Sequence, residues 1–205
     1  MSDPLPSSPR RAASEGLRPR ILREATRLFS QHGYAATSVR EIATAAGCTK
    51  PALYYHFEGK ERLFIEAIHK ETEDITRLVA DVTASERPVR ELLTVGMETF
   101  VTHVRENAMG MRLLMRAELW PDAGQPEFDF ESLRATYREL ILGLLVRGIE
   151  EGSVRAGLPL EDAAYALAGI FDQRLQLWLR GTPIPREFPA FAVALFFDGV
   201  AARQS

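Results

Sequence analysis

The chain has 205 residues, 46% of them apolar and 26% charged, the composition of a soluble globular protein long enough to bury a core as one or two small domains. Its longest strongly apolar run, FPAFAVALFF from Phe188, falls short of the ~20 residues that a membrane helix needs, and the start, MSDPLPSSPRRAASEG, lacks the apolar stretch of a signal peptide. The net charge of −3 is unevenly spread: residues 1–70 hold 11 Lys/Arg against 7 Asp/Glu, while the remainder holds 14 against 21, so the basic end points to nucleic acid.

Residues 1–16, rich in Pro, Ser, Ala and Arg, read as a disordered tail. Its Arg10 and Arg11 suit either an arm that trails along a DNA groove or a solvated tail without a role. A first helix is predicted over Leu17–His32, with Pro19 early and Gly33 just past its end. Ile21, Leu22, Ala25, Leu28 and Phe29 form its apolar stripe, and Arg18, Arg20, Arg23 and Arg27 take exposed positions.

Ser38 followed by Glu41 is a capping box at the start of a second, short helix. Val39, Ile42, Ala43 and Ala46 share one of its faces, and Gly47 stops it, because glycine reaches left-handed backbone angles without steric cost. Cys48, the chain's single cysteine, excludes an internal disulfide, fits a reducing cytoplasm and reads as core filler beside the turn. Thr49 is a preferred N-cap for a third helix that carries Pro51 in its first turn. Two short helices joined by a glycine turn are the pattern of a helix-turn-helix. Leu53 and Phe57 would anchor the third helix, leaving Lys50, Pro51, Ala52, Tyr54 and His56 on its other faces. Lys50 can bond a guanine edge or a phosphate, Ala52 can touch a thymine methyl, and Tyr54 and His56 can donate to phosphate oxygens.

From Leu28 to Phe64 the chain reads LFSQHGYAATSVREIATAAGCTKPALYYHFEGKERLF. This resembles the DNA-binding end of the tetracycline-repressor (TetR) family. That family's pattern is a helix ending in LF-x-x-x-G-Y/F, a Thr/Ser-rich approach, IA-x-x-A-G, a short link, a recognition helix of form LY-x-HF, and a lysine opening the next helix. Glu58 departs from it, placing an acid where a neutral or basic residue would lie beside the phosphates. The resemblance implies base contacts by Arg40 and Lys50, with Pro51 and Ala52 at the base edges. It implies that Ser38, Thr49, Tyr54, His56 and Lys60 position the DNA backbone.

A fourth helix is predicted over Lys60–Thr83, with Leu63, Phe64, Ala67, Ile68, Ile75, Leu78, Val79 and Val82 inward and Glu66, Lys70, Glu71, Glu73 and Asp74 on the solvated face. In the family this helix joins the DNA-reading head to the body. Further helices are predicted at Pro88–Arg105, Met109–Leu119, Phe128–Glu151, Leu160–Arg180 and Arg186–Ala202, with no strand pattern or repeat. The expected architecture is all-α, with about nine helices: a tail (1–16), a three-helix helix-turn-helix head (17–62) and a ligand-binding and dimerisation body (63–205).

The last two helices are apolar on most faces and must be buried on most faces. Pairing across a two-fold axis into a four-helix bundle would do this, through Leu167, Phe171, Leu175, Phe191, Leu195 and Phe196, and the resemblance implies the same homodimer. An intramolecular core in a monomer is the alternative. Phe100, His103, Met111, Met115, Trp120, Tyr137, Phe171 and Trp178 are the candidate lining of an effector pocket, although each also suits a plain helical core. Flexible methionines there would suit an adaptable, small apolar or aromatic effector.

Enzyme chemistry finds no support. His32, His56, His69 and His103 are scattered without metal-ligand spacing, Gly59-Lys60 lacks the rest of a phosphate loop, and no G-x-S-x-G elbow occurs. No catalytic residue, cofactor or metal is expected. The leading expectation is a cytoplasmic, ligand-responsive repressor that binds a pseudo-palindromic double-stranded operator as a homodimer. A regulator of the same fold controlled by a protein partner, or by no ligand, remains open, as does a helical ligand carrier whose head no longer reads DNA.

Overall fold

The computed structural model describes residues 16–200, and every regular element among them is an α-helix. The tail up to Glu15, with Arg10 and Arg11, and residues 201–205 lie outside the described residues. In chain order the helices are α1 (Leu17–Ala36), α2 (Val39–Ala45), α3 (Lys50–His56), α4 (Lys60–Thr83), α5 (Val89–Glu106), α6 (Ala108–Leu119), α7 (Phe130–Glu150), α8 (Leu160–Leu179) and α9 (Phe188–Val200). The nine helices among the described residues fulfil the all-α expectation. Helix α1 is interrupted at Gly33 (φ 84°, ψ 174°), so its main part ends at the predicted His32 and a short turn follows.

The chain divides into two compact units that interleave along the sequence. Among the described residues, one comprises 16–73 and Met109–Phe128; the other comprises Asp74–Ala108 and 129–200. In the first unit the α1 stripe of Ile21, Leu22, Ala25, Leu28 and Phe29 is buried, as are Ile42 and Ala43 of α2, Leu53 of α3, and Leu63, Phe64, Ala67 and Ile68 of α4. Phe29, Tyr34 and Phe64 form a ring cluster with centroids 5.1–5.9 Å apart. Aromatic pairs of this kind contribute ~0.5–1.5 kcal/mol beyond the area they bury. Met111, Leu113, Leu114, Met115 and Ala117 of α6 are buried as well.

One expectation for α4 is corrected. Glu71, placed on the solvated face by its spacing, is only 7% exposed. The reason lies in Gly110, where a Cβ would come within 2.0 Å of the Glu71 carboxylate. The missing side chain makes room for the acid. Glu66 is half-buried and ion-paired to Arg18.

In the second unit α9 packs on α5, α7 on α8, and α5 on α7. The core joins Val89, Leu92 and Leu93 to Leu144, Leu145, Leu167, Phe171, Val193, Phe196 and Phe197. Pro88 offers no side-chain cap, and the Glu151 carboxylate accepts instead from the first amide of α5, Val89 N–H, at 2.7 Å. Arg147 donates to the Ser85 carbonyl at 3.1 Å and to the Arg87 carbonyl, fixing the link ahead of α5.

Candidate nucleic-acid interface

Local chemistry builds the two-helix motif much as the sequence implies. Ser38 Oγ accepts from Glu41 N–H at 3.2 Å while the Glu41 carboxylate accepts from Ser38 N–H at 2.8 Å, so both halves of the capping box are formed. These bonds to Ser38 hold the Glu41 carboxyl below the ordinary glutamate range. At the other end of α2, Cys48 N–H donates to the Ala43 carbonyl at 2.9 Å and Gly47 N–H to that of Thr44 at 3.1 Å. With Gly47 at φ +62°, this is a Schellman ending, which turns the chain and satisfies carbonyls that the helix leaves open. Thr49 Oγ1 then accepts from Ala52 N–H at 3.3 Å to start α3.

Helix α3 is held from below. Leu53 and Phe57 are buried, with the Arg18 guanidinium 4.9 Å from the Phe57 ring centroid. Arg20 Nε donates to the Ala46 carbonyl at 2.8 Å, tying α1 to the end of α2. Two arginines that the sequence puts on an exposed face are thus spent on bracing the motif. Facing outward on α3 are Lys50, Pro51 and Tyr54; Ala52 and His56 are half-buried. Arg40 of α2 is exposed, and Ser38 and Thr49 are exposed with their oxygens accepting cap bonds. Lys60 differs from the rest: it is half-buried, its ammonium donating to the Tyr34 carbonyl at 2.8 Å and lying 4.0 Å from the Tyr34 ring centroid. Tyr55, left out of the sequence reading, is 86% exposed beside His56. Its spacing, four residues after Pro51, is the signal that could have placed it on the outward face.

A family model described as bacterial regulatory proteins, tetR family, matches residues 21–67, which hold the whole motif. The HTH-type transcriptional regulator AcrR of Shigella flexneri is 30% identical over 167 residues, spanning 79% of this chain and 78% of AcrR. The chain belongs to the TetR family. A second relative, the HTH-type transcriptional repressor KstR2 of Rhodococcus jostii, is 28% identical over 152 residues, 74% of each protein. Among solved structures, the transcriptional regulator FadR of Bacillus subtilis in complex with stearoyl-CoA has the same fold, with a TM-score of 0.69 and 19% identity over 89% of this chain and 98% of that one. This TetR-family chain is therefore a DNA-binding transcriptional regulator, and its relatives are regulators rather than enzymes.

The TetR-family body residues named from sequence fall in different places. Met111 and Met115 are buried in the first unit, where Trp120 is 50% exposed. The second unit holds Phe100, Tyr137 and Trp178, all half-buried, and the buried His103 and Phe171. Asn107 Nδ2 lies 3.1 Å from His103 Nδ1, and the Phe171 ring meets Phe188 edge-on at 5.4 Å. An open cleft of about 400 Å³ lies elsewhere in that unit, with Leu78, Val82, Leu92 and Val95 along it and Arg77 and Arg87 among its polar lining. None of the eight candidates lines this cleft. Of the pairing candidates, Leu167, Phe171, Leu175 and Phe196 are buried within the single chain, whereas Phe191 and Leu195 stand outward on α9, 61% and 55% exposed. Among the described residues no His/Cys/Asp/Glu group could hold a metal ion, and no described helix is long and apolar enough to cross a membrane.

Proposed function

We propose that this regulator is a repressor that binds a pseudo-palindromic operator as a homodimer and is released by a small apolar or aromatic effector. In this reading residues 17–62 read DNA and residues 63–205 pair the subunits and take the effector. The observation that carries it is the outward face of α3, with Lys50, Pro51, Tyr54 and Tyr55 presented on a helix that Thr49 caps at its start and that Leu53 and Phe57 anchor on its inner side. Arg40 and Lys50 contact base edges, with Pro51 and Ala52 alongside. Ser38, Thr49, Tyr54, His56 and Lys60 hold the phosphate backbone, Lys60 only by giving up its bond to Tyr34. Two copies of α3 would enter successive major grooves ~34–36 Å apart or a multiple of that.

Pairing is supported by Phe191 and Leu195, one turn apart on α9, which a second copy would cover, with Leu167, Phe171, Leu175 and Phe196, already buried within the chain, backing that face from the core. Effector control is supported by the FadR complex, in which the same fold holds a molecule with a long apolar chain. As a regulator without a membrane-spanning helix among its described residues, the protein would work in the cytoplasm. The test selects duplexes from a random library with the purified chain and titrates the enriched sequence at rising salt. A dimer that binds one palindromic sequence, with affinity falling steeply with salt, is the expected result. A chain that enriches nothing overturns the reading.

A further inference from the structure

One polar cluster of the first unit is built around Asp122, which the proposal above does not use. After α6 the chain makes a four-residue turn, with Gln125 N–H donating to the Asp122 carbonyl at 3.0 Å and Gly124, third in the turn, at φ +71°. The Gln125 side chain stiffens this turn: its Nε2 donates to the Ala117 carbonyl at 2.9 Å and its Oε1 accepts from Asp122 N–H at 3.4 Å. The turn presents the Asp122 carboxylate to a segment 88 residues earlier. Asp122 Oδ2 accepts from Tyr34 N–H at 2.6 Å, and Oδ1 accepts from the Arg116 guanidinium at 3.4 Å.

Gly33 makes this approach feasible. A Cβ there would lie 2.0 Å from Asp122 Oδ2 and 2.7 Å from an Arg116 nitrogen, and the φ of +84° suits glycine in any case. The far side of Tyr34 is held as well, its carbonyl accepting from Lys60 Nζ at 2.8 Å and from Thr37 N–H at 3.3 Å. Thr37 Oγ1 in turn donates to the Gly33 carbonyl at 2.7 Å. Residues 33–37 are the whole link between the main part of α1 and the Ser38 cap of α2. Side chains from two other segments engage both backbone polar groups of Tyr34 at its centre, and a charged acceptor makes the strongest class of those bonds.

We infer that Asp122 is a positioning residue for DNA reading: by fixing the Gly33–Thr37 link it sets the direction in which α2, and α3 after it, leave α1. The inference rests on the proposal that α3 reads DNA. It is tested with Asp122→Ala and Asp122→Asn on the full chain, using the duplex enriched by the wild type and a scrambled duplex of equal length. Removing the acceptor should weaken binding to the enriched duplex about tenfold. Binding to the scrambled duplex should hold steady or tighten, since an acidic charge has been removed. Asp122→Asn keeps an acceptor for Tyr34 N–H and should stay within about threefold of the wild type. Tyr34 amide exchange, followed without DNA, should speed up in Asp122→Ala and not in Asp122→Asn.

Asp122→Ala binding the enriched duplex as the wild type does would overturn the inference. So would a parallel loss on both duplexes, which marks a folding defect, or an Asn variant as impaired as the Ala one. A wild type that enriches no duplex removes the DNA-reading proposal itself, a failure distinct from the others.

Discussion

Lys50 and Arg40 are exposed cations on neighbouring helices, and the proposal gives each a base to read. Replacing either with Ala should cost ~1–3 kcal/mol at the operator and relax the preference at one base position, whereas Tyr54→Phe should weaken all sequences about equally. Gel shifts against single-base variants of the enriched duplex separate the two patterns. An Arg40→Ala protein with unchanged affinity would remove Arg40 from the readers. Glu41 makes a different prediction, about pH. Its carboxyl is held below the ordinary glutamate value by its bonds to Ser38, so it is charged and capping above the unfolded value. That contribution is lost as pH falls through the lowered folded value. Exchange protection of the Ser38 amide should therefore fade in acid, below the ordinary glutamate range, and Glu41→Gln, which cannot titrate, should flatten the dependence.

At the scale of elements, Gly33 and Gly47 both adopt positive φ but differ in surroundings. A Cβ on Gly47 meets nothing within 4 Å, so Gly47→Ala should cost only the backbone penalty, ~1–2 kcal/mol. Gly33→Ala adds a collision with Asp122 and Arg116 and should cost more. Urea unfolding of the two variants checks the order, and equal midpoints would contradict it. Helix ends were legible because their signals are local: Ser38 with Glu41, Gly47, and Thr49 with Pro51 each act within four residues. Contacts set by distant partners were not. Glu71 looked solvated because nothing near it in sequence announces Gly110. Lys60 looked available because the Tyr34 carbonyl is invisible to a pattern of side chains, and Asp122 carries no local signal at all. Helix α9 failed in another way. It is apolar nearly all round, so spacing could not separate the inward Phe196 from the outward Phe191 and Leu195.

At the scale of the molecule, the outward pair on α9 decides the oligomeric state in the proposal. Phe191→Glu with Leu195→Glu should leave the buried core of the second unit intact and yield a monomer in sedimentation. Operator affinity should fall ~10²-fold or more, because the second half-site contact is no longer tethered to the first. A double variant that remains a dimer would move the pairing face elsewhere. The interleaving of the compact units bears on protein engineering. Segment 109–128 is stitched to the head by Asp122 on Tyr34 and to α4 by Gly110 against Glu71, although it follows α1 by more than seventy residues of chain. A chimera that transplants only the amino-terminal third of this regulator onto another body would leave the graft without its own brace. A faithful exchange of heads would need two cuts more, carrying the α6 segment along with the motif it steadies.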